Sequence, residues 1–425
     1  MKKQWIQGTT VILGILLLLA SIPTMSAQSD ENYQVIAEKA SFEKDSFYLA
    51  ESLIDFDTVT FELDPNKFNE AVNNKGNVVL TLEGEDLELE LYETYVMRKD
   101  PKVIVEDESG IHFIDAPYFH TYHGKVVGKE GSRVAITTYD DIFIGMIDID
   151  DNPYYVELTK GMVNDKTVHA IYRKNSRVKD PAAKPAHCGV ENEDMGVTNL
   201  FSFEKTATLS SRSTTQIDIL PCYDRDFKDI YGSYTAAEGD ITNMINEVNM
   251  EFANQSVQLT FNYYKKYGYL DDNTSQGILD FFKEDIPLYM DITDSDLATL
   301  FYGDEFINET VIGRGSVYNG SSERAYSVVQ MVEEPNTQYD ADYDERCRLL
   351  GHELGHNFGA SHDEAYNWTT PSMNYFTLMW TPFYFNSTHQ LKQIYSDGNV
   401  YGDQNHNNSE YIIDHKATIA AFRTS

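Results

Sequence analysis

Two histidines in the C-terminal half of the sequence have the spacing of metal ligands. His352 and His356 are four residues apart, and Glu353 follows the first of them. Residues 344–350 contain neither Gly nor Pro, which favours a helix over this segment. Residues four apart project from the same helix face, so two imidazole nitrogens can face one metal ion. The adjacent carboxylate is then free to handle a water molecule.

Gly359 and His362 extend this pattern. Glycine can adopt a backbone conformation closed to other residues, so Gly359 is expected to end the helix. The chain can then turn so that His362 supplies a third nitrogen. Three neutral imidazoles with one open position are typical of a catalytic zinc site, whereas a structural site is closed by a fourth protein ligand. The alternative is chance spacing of surface histidines, which the added Gly and third His make negligible.

The segment resembles the zinc-binding signature of the metzincins, and Asp363 after the third histidine resembles the adamalysin (reprolysin, ADAM-type) metalloproteases. The resemblance implies zinc-dependent hydrolysis of peptide bonds, with Glu353 as general base and Gly359 and Asp363 in structural roles. It also implies an α/β (α+β) catalytic domain with a mixed sheet and a long active-site helix. A methionine turn is expected beneath the zinc, for which Met379 is the best match and Met373 the competitor. The stretch 383–394 resembles the helix that closes the family's domain.

The same resemblance implies how a substrate binds. In the family, an edge strand above the cleft pairs with a protein or peptide substrate in extended conformation. Residues 311–318 are the candidate for this strand, although their glycines could equally mark an ordinary loop. A non-catalytic extracellular binding protein on a metalloprotease scaffold is the alternative function, and it would predict a defective site.

Cys188 lies upstream of the histidines. A thiolate is a strong zinc ligand, so a cysteine on a removable segment can occupy the open coordination position and exclude water. The surrounding residues 185–190 resemble the cysteine switch of metzincin proenzymes, and residues 118–158 resemble the reprolysin propeptide. The chain's own propeptide is therefore an expected partner. A structural or unpaired cysteine is the alternative.

Cys222 and Cys347 are the remaining cysteines. An even pair in an oxidising compartment suggests a disulfide that ties the first strand of the catalytic domain to the active-site helix. Two buried free thiols are the alternative.

The N-terminal residues predict export. Lys2 and Lys3 precede an apolar run over residues 11–20 and then a stretch of small residues, the pattern of a secretory signal peptide over residues 1–27. A membrane anchor is the alternative, but the run is shorter than the ~20 residues that a spanning helix needs. We therefore expect a secreted, extracellular protein with no stable membrane anchor after removal of the signal.

Residues 28–205 are predicted to be a propeptide. Alternation of apolar and polar residues indicates an all-β prodomain up to about residue 160, followed by a polar linker that contains the cysteine switch and the processing site. In the following part, an apolar stripe over residues 241–252 predicts a helix, and strands alternate with helices. An α/β catalytic domain is therefore predicted over residues 206–425.

The charge of the chain limits its partners. Its 68 acidic and 33 basic side chains give a formal net charge of −35. An anionic surface repels phosphate, which argues against nucleic acid as a partner. The acid excess suggests Ca²⁺ sites or a salty habitat, and a solvated surface without a specific ligand is the alternative. We expect a monomer.

Overall fold

The computed structural model describes residues 34–36, 38–39, 59–163, 166–173, 183–190 and 213–423, apart from 272, 308–309, 323–324, 336 and 384–388. The predicted signal peptide lies outside the described residues, and so does most of the predicted linker in which the processing site is expected. No helix in the described ranges combines the length and apolar character needed to cross a membrane.

The described N-terminal region consists mainly of strands. Its elements are β1 (Gln34–Ile36), β2 (Glu38–Lys39), β3 (Val59–Glu62), α1 (Pro65–Lys75), β4 (Asn77–Leu82), β5 (Glu85–Thr94), β6 (Met97–Asp107), β7 (Gly110–Asp115), β8 (His120–Val126), β9 (Arg133–Tyr139), β10 (Ile142–Asp148), β11 (Tyr154–Val163), β12 (Lys166–Arg173) and β13 (His187–Cys188). Ten of these strands form one sheet in the order β1-β4-β5-β8-β9-β10-β11-β12-β3-β2.

The prediction of an all-β first region is wrong in one respect, because helix α1 lies within it. The Asp64 side chain accepts a hydrogen bond from the Lys67 amide and caps the helix, and Pro65 occupies its first turn. Phe68 is buried and packs edge-on against Tyr122 and Phe143. The helix thus covers one face of the ten-stranded sheet with an apolar side chain.

The C-terminal region alternates strands and helices, as the sequence predicts for an α/β domain. Its elements are β14 (Thr215–Tyr223), α2 (Arg225–Tyr231), α3 (Tyr234–Phe252), β15 (Val257–Lys266), α4 (Ser275–Asp285), α5 (Pro287–Thr293), β16 (Leu297–Tyr302), β17 (Val311–Gly315), β18 (Tyr326–Gln330), α6 (Tyr343–Asn357), β19 (Asn367–Thr369), β20 (Asn374–Phe376), β21 (His389–Leu391) and α7 (Asn408–Ile419). The expectation of a helix over 383–394 is wrong, since the described part of that stretch includes β21, and the last helix is α7.

The second large sheet is mixed and has the order β13-β17-β18-β16-β14-β15-β6-β7. Strands β14, β15, β16 and β18 run parallel, and β17 is antiparallel to β18. Strand β6 from the N-terminal region adds to β15, and β13 adds to β17 at the other end. Segments that precede residue 206 therefore occupy both ends of the sheet built by the C-terminal region.

Helix α3 joins the two large sheets. The predicted apolar stripe along it is buried, and so are almost all of its polar residues. Asn246 shows why, because its side-chain amide donates to the Tyr122 and Ile136 carbonyls in the ten-stranded sheet. Its backbone carbonyl also accepts a hydrogen bond from His123. A helix buried on all sides must satisfy its polar groups in this way.

Candidate metal centre

Helix α6 carries the first two histidines of the predicted site. Its N-terminus is capped by Asp342, whose side chain accepts a hydrogen bond from the Glu345 amide. His352 Nδ1 lies 2.7 Å from the Leu378 carbonyl oxygen, and His356 Nδ1 lies 2.9 Å from the Ala360 carbonyl oxygen. A carbonyl can only accept, so both Nδ1 atoms carry a proton and both Nε2 atoms present a lone pair.

His362 meets these two rings from beyond the end of the helix. Its Nε2 atom lies 3.1 Å from the Nε2 atoms of both His352 and His356. Gly359, with φ of +89°, makes the turn, and its amide donates to the His356 carbonyl. The Ala360 amide returns to the Gly355 carbonyl, which completes a Schellman motif. The predicted role of Gly359 in ending the helix therefore has a geometric basis.

The spacing of these atoms fits a tetrahedral ion. Bonds of about 2.0–2.1 Å from zinc to nitrogen place tetrahedral nitrogens about 3.3 Å apart, and a zinc to sulfur bond of about 2.3 Å places sulfur about 3.6 Å from nitrogen. The observed separations are 3.1 Å between Nε2 atoms and 3.5 Å between Cys188 Sγ and His356 Nε2. The four donor atoms of Cys188, His352, His356 and His362 all lie within 4.8 Å of one another.

The imidazoles are held neutral, as metal ligation requires. Burial lowers the pKa of His352 and of His356 well below the ordinary value, and it lowers the pKa of His362 to about 4. Lone pairs that converge without a proton between them repel one another unless a cation lies at their centre.

Glu353 lies beside the ligand cluster and is fully buried. Burial raises its pKa to about 8, which keeps proton exchange within reach near neutral pH. Strand β17 passes directly over it. A Cβ added to Gly313 would lie 2.6 Å from Glu353 Oε1, and a Cβ added to Gly315 would lie 2.5 Å from the Glu353 carbonyl oxygen. The two glycines therefore permit the close approach of this strand to the carboxylate, a role that the sequence reasoning missed.

Cys188 reaches the same cluster from β13. Its Sγ atom lies 3.5 Å from Glu353 Oε2 and 3.5 Å from His356 Nε2. Burial raises the pKa of the thiol well above its usual value, and a cation beside the sulfur would lower it. The His187 amide donates to Thr310 and the Gly189 amide donates to Gly313, so β13 pairs with the side of β17 that faces away from β18. The predicted substrate strand is thus a true strand up to Gly315, and residues 316–318 form a loop.

Met379 lies in a turn beneath the cluster. The Trp380 amide donates to the Thr377 carbonyl across this turn, and Met379 is buried. Its Sδ atom would be 2.6 Å from a Cβ on Gly355, so it packs against the backbone of α6 between the two histidines. Met373 is half-buried and lies between β19 and β20 instead. The Leu378 carbonyl that orients His352 comes from the same turn, which the sequence reasoning did not identify.

The expected disulfide between Cys222 and Cys347 is wrong, because both residues are buried free thiols. Cys222 belongs to β14, where its thiol donates to the Leu220 carbonyl at 3.5 Å. Cys347 belongs to α6 and interacts with Glu247 of α3. The two thiols face different neighbours and therefore do not face each other.

Two further expectations receive no structural support. Asp363 is exposed, next to His362 in a short 3₁₀-helix (His362–Glu364). Within the described ranges, the cluster around His352 is the one group of three or more His, Cys, Asp or Glu side chains placed to hold a metal. The hypothesis of a separate Ca²⁺ site thus stays a prediction.

Comparison with known proteins gives a match to a family model and a number of distant structural likenesses, two of which are described here. The family model Reprolysin_5, described as metallo-peptidase family M12, matches residues 213–388. Metalloproteinase-II from Bacteroides fragilis is 10% identical, with 82% of this chain and 95% of that chain covered and a TM-score of 0.45. A chain in the structure of a chaperone-substrate complex is 15% identical over 50% of this chain, with a TM-score of 0.38, and this chain spans 36% of it. The sequence match alone carries weight.

Proposed function

We propose that the chain is a secreted zinc endopeptidase made as a latent precursor, and the match of residues 213–388 to the metallo-peptidase family M12 supports this proposal. The observation that carries the proposal is the convergence of three imidazole lone pairs beside a buried carboxylate. His362 Nε2 lies 3.1 Å from its two neighbours, and Glu353 adjoins them on the same helix. A scaffold that only bound a partner would not need this combination.

His352, His356 and His362 would hold the metal, and the carbonyls of Leu378 and Ala360 would fix the first two rings. A zinc ion held there supplies Lewis acidity, which lowers the pKa of a coordinated water to about 7 and polarises the substrate carbonyl. Glu353 accepts the proton of the attacking water and delivers it to the leaving amine. The close packing of Gly313 and Gly315 holds the Glu353 carboxylate in place for both transfers.

Latency in this proposal comes from residues 187–189. The Cys188 thiolate would be the fourth ligand of a metal held by the three histidines, and it would keep water from that position. The backbone of the same segment pairs with β17, the strand on which an extended peptide would align. A cut in the linker before residue 213 would release residues 187–189. It would free the position on the metal and the edge of β17 together. Export of the precursor is proposed from the N-terminal residues 1–27.

The test is hydrolysis of a quenched fluorescent peptide by the processed protein. Activity should disappear with a zinc chelator, return with added Zn²⁺, and fall by a factor of at least about 1,000 in Glu353→Ala, as expected when the base is lost. Glu284→Gln removes an exposed carboxylate on α4 and is the matched control. Activity that survives Glu353→Ala or persists with chelator would overturn the proposal.

A further inference from the structure

The side chains of β17 alternate between two environments. Gly313 and Gly315 face helix α6 and Glu353, as their contacts show. Arg314 lies between them and faces the other way, where its Nε donates to the Ser275 hydroxyl of α4 at 3.1 Å. The strand that is expected to align a substrate thus carries one guanidinium group, directed away from the metal-ligand helix.

The segment paired with β17 shows which side chain Arg314 would meet. Cys188 is the pairing partner of Gly313 and points at the metal cluster. The next residue is Gly189, and a Cβ added there would lie 2.6 Å from the Cζ, Nε and Nη2 atoms of Arg314. A peptide in this position would therefore direct the side chain next to its metal-facing residue at the guanidinium, and the flexible end of Arg314 would shift to make room for it.

An open pocket of about 390 Å³ surrounds this point. Its lining residues are Val190, Gln276, Leu279, Lys283, Arg314, Gly315, Ser316 and Val317. Two of these residues are cations and none is a carboxylate, although acidic side chains outnumber basic ones by 68 to 33 in the chain. The chain's own segment continues past Val190 with Glu191, Glu193 and Asp194, which lie outside the described residues.

We propose that Arg314 and Lys283 form a subsite that selects substrates with an acidic side chain adjacent to the scissile bond. The inference deepens the proposed function and rests on it. A guanidinium binds a carboxylate through paired, charge-assisted hydrogen bonds, and the hydrogen bond from Nε to Ser275 keeps Arg314 on this side of β17. The same pocket is lined by the polar side chains of Gln276 and Ser316 and by the apolar side chains of Leu279 and Val317.

The experiment compares peptide pairs that differ only by Glu or Gln, with the changed residue moved over the three positions on each side of the scissile bond. The full chain is produced, and the active form obtained after its processing is assayed. At one position next to the cleavage point, kcat/KM should favour Glu by about tenfold, the lower range for a hydrogen bond to a charged group. The readout is the ratio of kcat/KM for the Glu peptide to kcat/KM for the Gln peptide, so a variant that changes activity on both peptides equally leaves it unchanged.

Arg314→Gln should reduce that ratio to about one, Arg314→Lys should keep part of it, and Lys283→Gln should lower it independently. Arg225→Gln removes an exposed guanidinium from α2 and should leave the ratio unchanged.

A wild-type ratio near one at every position would overturn the subsite while leaving peptide hydrolysis intact. A ratio that Arg314→Gln does not alter would overturn it as well, and would restrict Arg314 to contacts with its own precursor segment. Failure of the processed wild type to cleave any peptide would overturn the proposed function and the subsite with it.

Discussion

The Arg346 guanidinium on α6 lies 3.1 Å from the Glu157 carboxylate on β11, and both side chains are fully buried. Asp240 on α3 supplies a second carboxylate at 3.3 Å, and Glu157 also accepts a hydrogen bond from Tyr172. The N-terminal region thus places a negative charge against the helix that carries the histidines. A buried charge that loses a partner is costly, so this contact couples the two regions.

Glu157→Gln should therefore destabilise the full chain. Arg346 would lose a charged partner in a fully buried site, and we expect a loss of about 1–3 kcal/mol. The measurement is the urea midpoint followed by tryptophan fluorescence. Glu130→Gln, at an exposed turn, is the control and should leave the midpoint unchanged. Equal midpoints for Glu157→Gln and wild type would show that the pair contributes no net stability.

Cys188→Ser should raise the activity of the unprocessed chain. A hydroxyl is a poorer metal ligand than a thiolate, so water competes better for the open position. We expect at least about a tenfold increase in hydrolysis of a short peptide over the unprocessed wild type, the factor that 1.4 kcal/mol represents. The pairing of residues 187–189 with β17 remains, so the variant should stay below the processed enzyme. Cys222→Ser is the control, and equal activity of both unprocessed variants would contradict the proposed ligation of the metal by Cys188.

Gly313→Ala should damage catalysis. The added Cβ would lie 2.6 Å from Glu353 Oε1 and 2.7 Å from Leu349 Cδ1, so the carboxylate must move. A displacement of about 1 Å in a reacting group can cost about 100-fold in rate, and we expect kcat to fall by that order. Gly268→Ala is the matched control, since nothing lies within 4 Å of a Cβ at that position. Wild-type kcat in Gly313→Ala would show that β17 does not position Glu353.

The buried His169 side chain should make the stability of the N-terminal sheet sensitive to acid. Its Nε2 accepts a hydrogen bond from the Phe143 amide, and burial lowers its pKa from 6.5 to about 4. Between these two pH values, the unfolded chain binds a proton that the folded chain does not. Stability should thus fall as the pH falls through this window, by up to about 3 kcal/mol. The urea midpoint of His169→Gln should fall less steeply with acid than that of wild type. His112→Gln is the exposed control, and equal slopes for His169→Gln and wild type would contradict this assignment.

The convergence of the three histidine rings could be predicted from sequence, because helix periodicity places His352 and His356 on one face and a glycine allows the return of His362. The carbonyls of Leu378 and Ala360 could not be predicted, since every residue carries a carbonyl and only the folded backbone selects these two. The disulfide prediction failed because an even number of cysteines contains no information on which neighbours the thiol of a strand residue, Cys222, and that of a helix residue, Cys347, will face.

The fold likewise has features that could be predicted from sequence and features that could not. The helical stripe on α3 and the alternation of strands and helices were visible as periodic patterns. The partner of β6 was not visible, because the alternation within a strand does not say which sheet it joins. Helix α1 was missed despite a local signal, since Asp64 followed by Pro65 is a recognisable helix start.

Zinc K-edge X-ray absorption on the full-length chain tests the metal centre most directly. We expect one zinc per chain, bound by three imidazole nitrogens at about 2.0–2.1 Å and one sulfur at about 2.3 Å, with the sulfur lost in Cys188→Ser. A chain that binds no zinc, or a zinc shell without imidazole scattering, would contradict it.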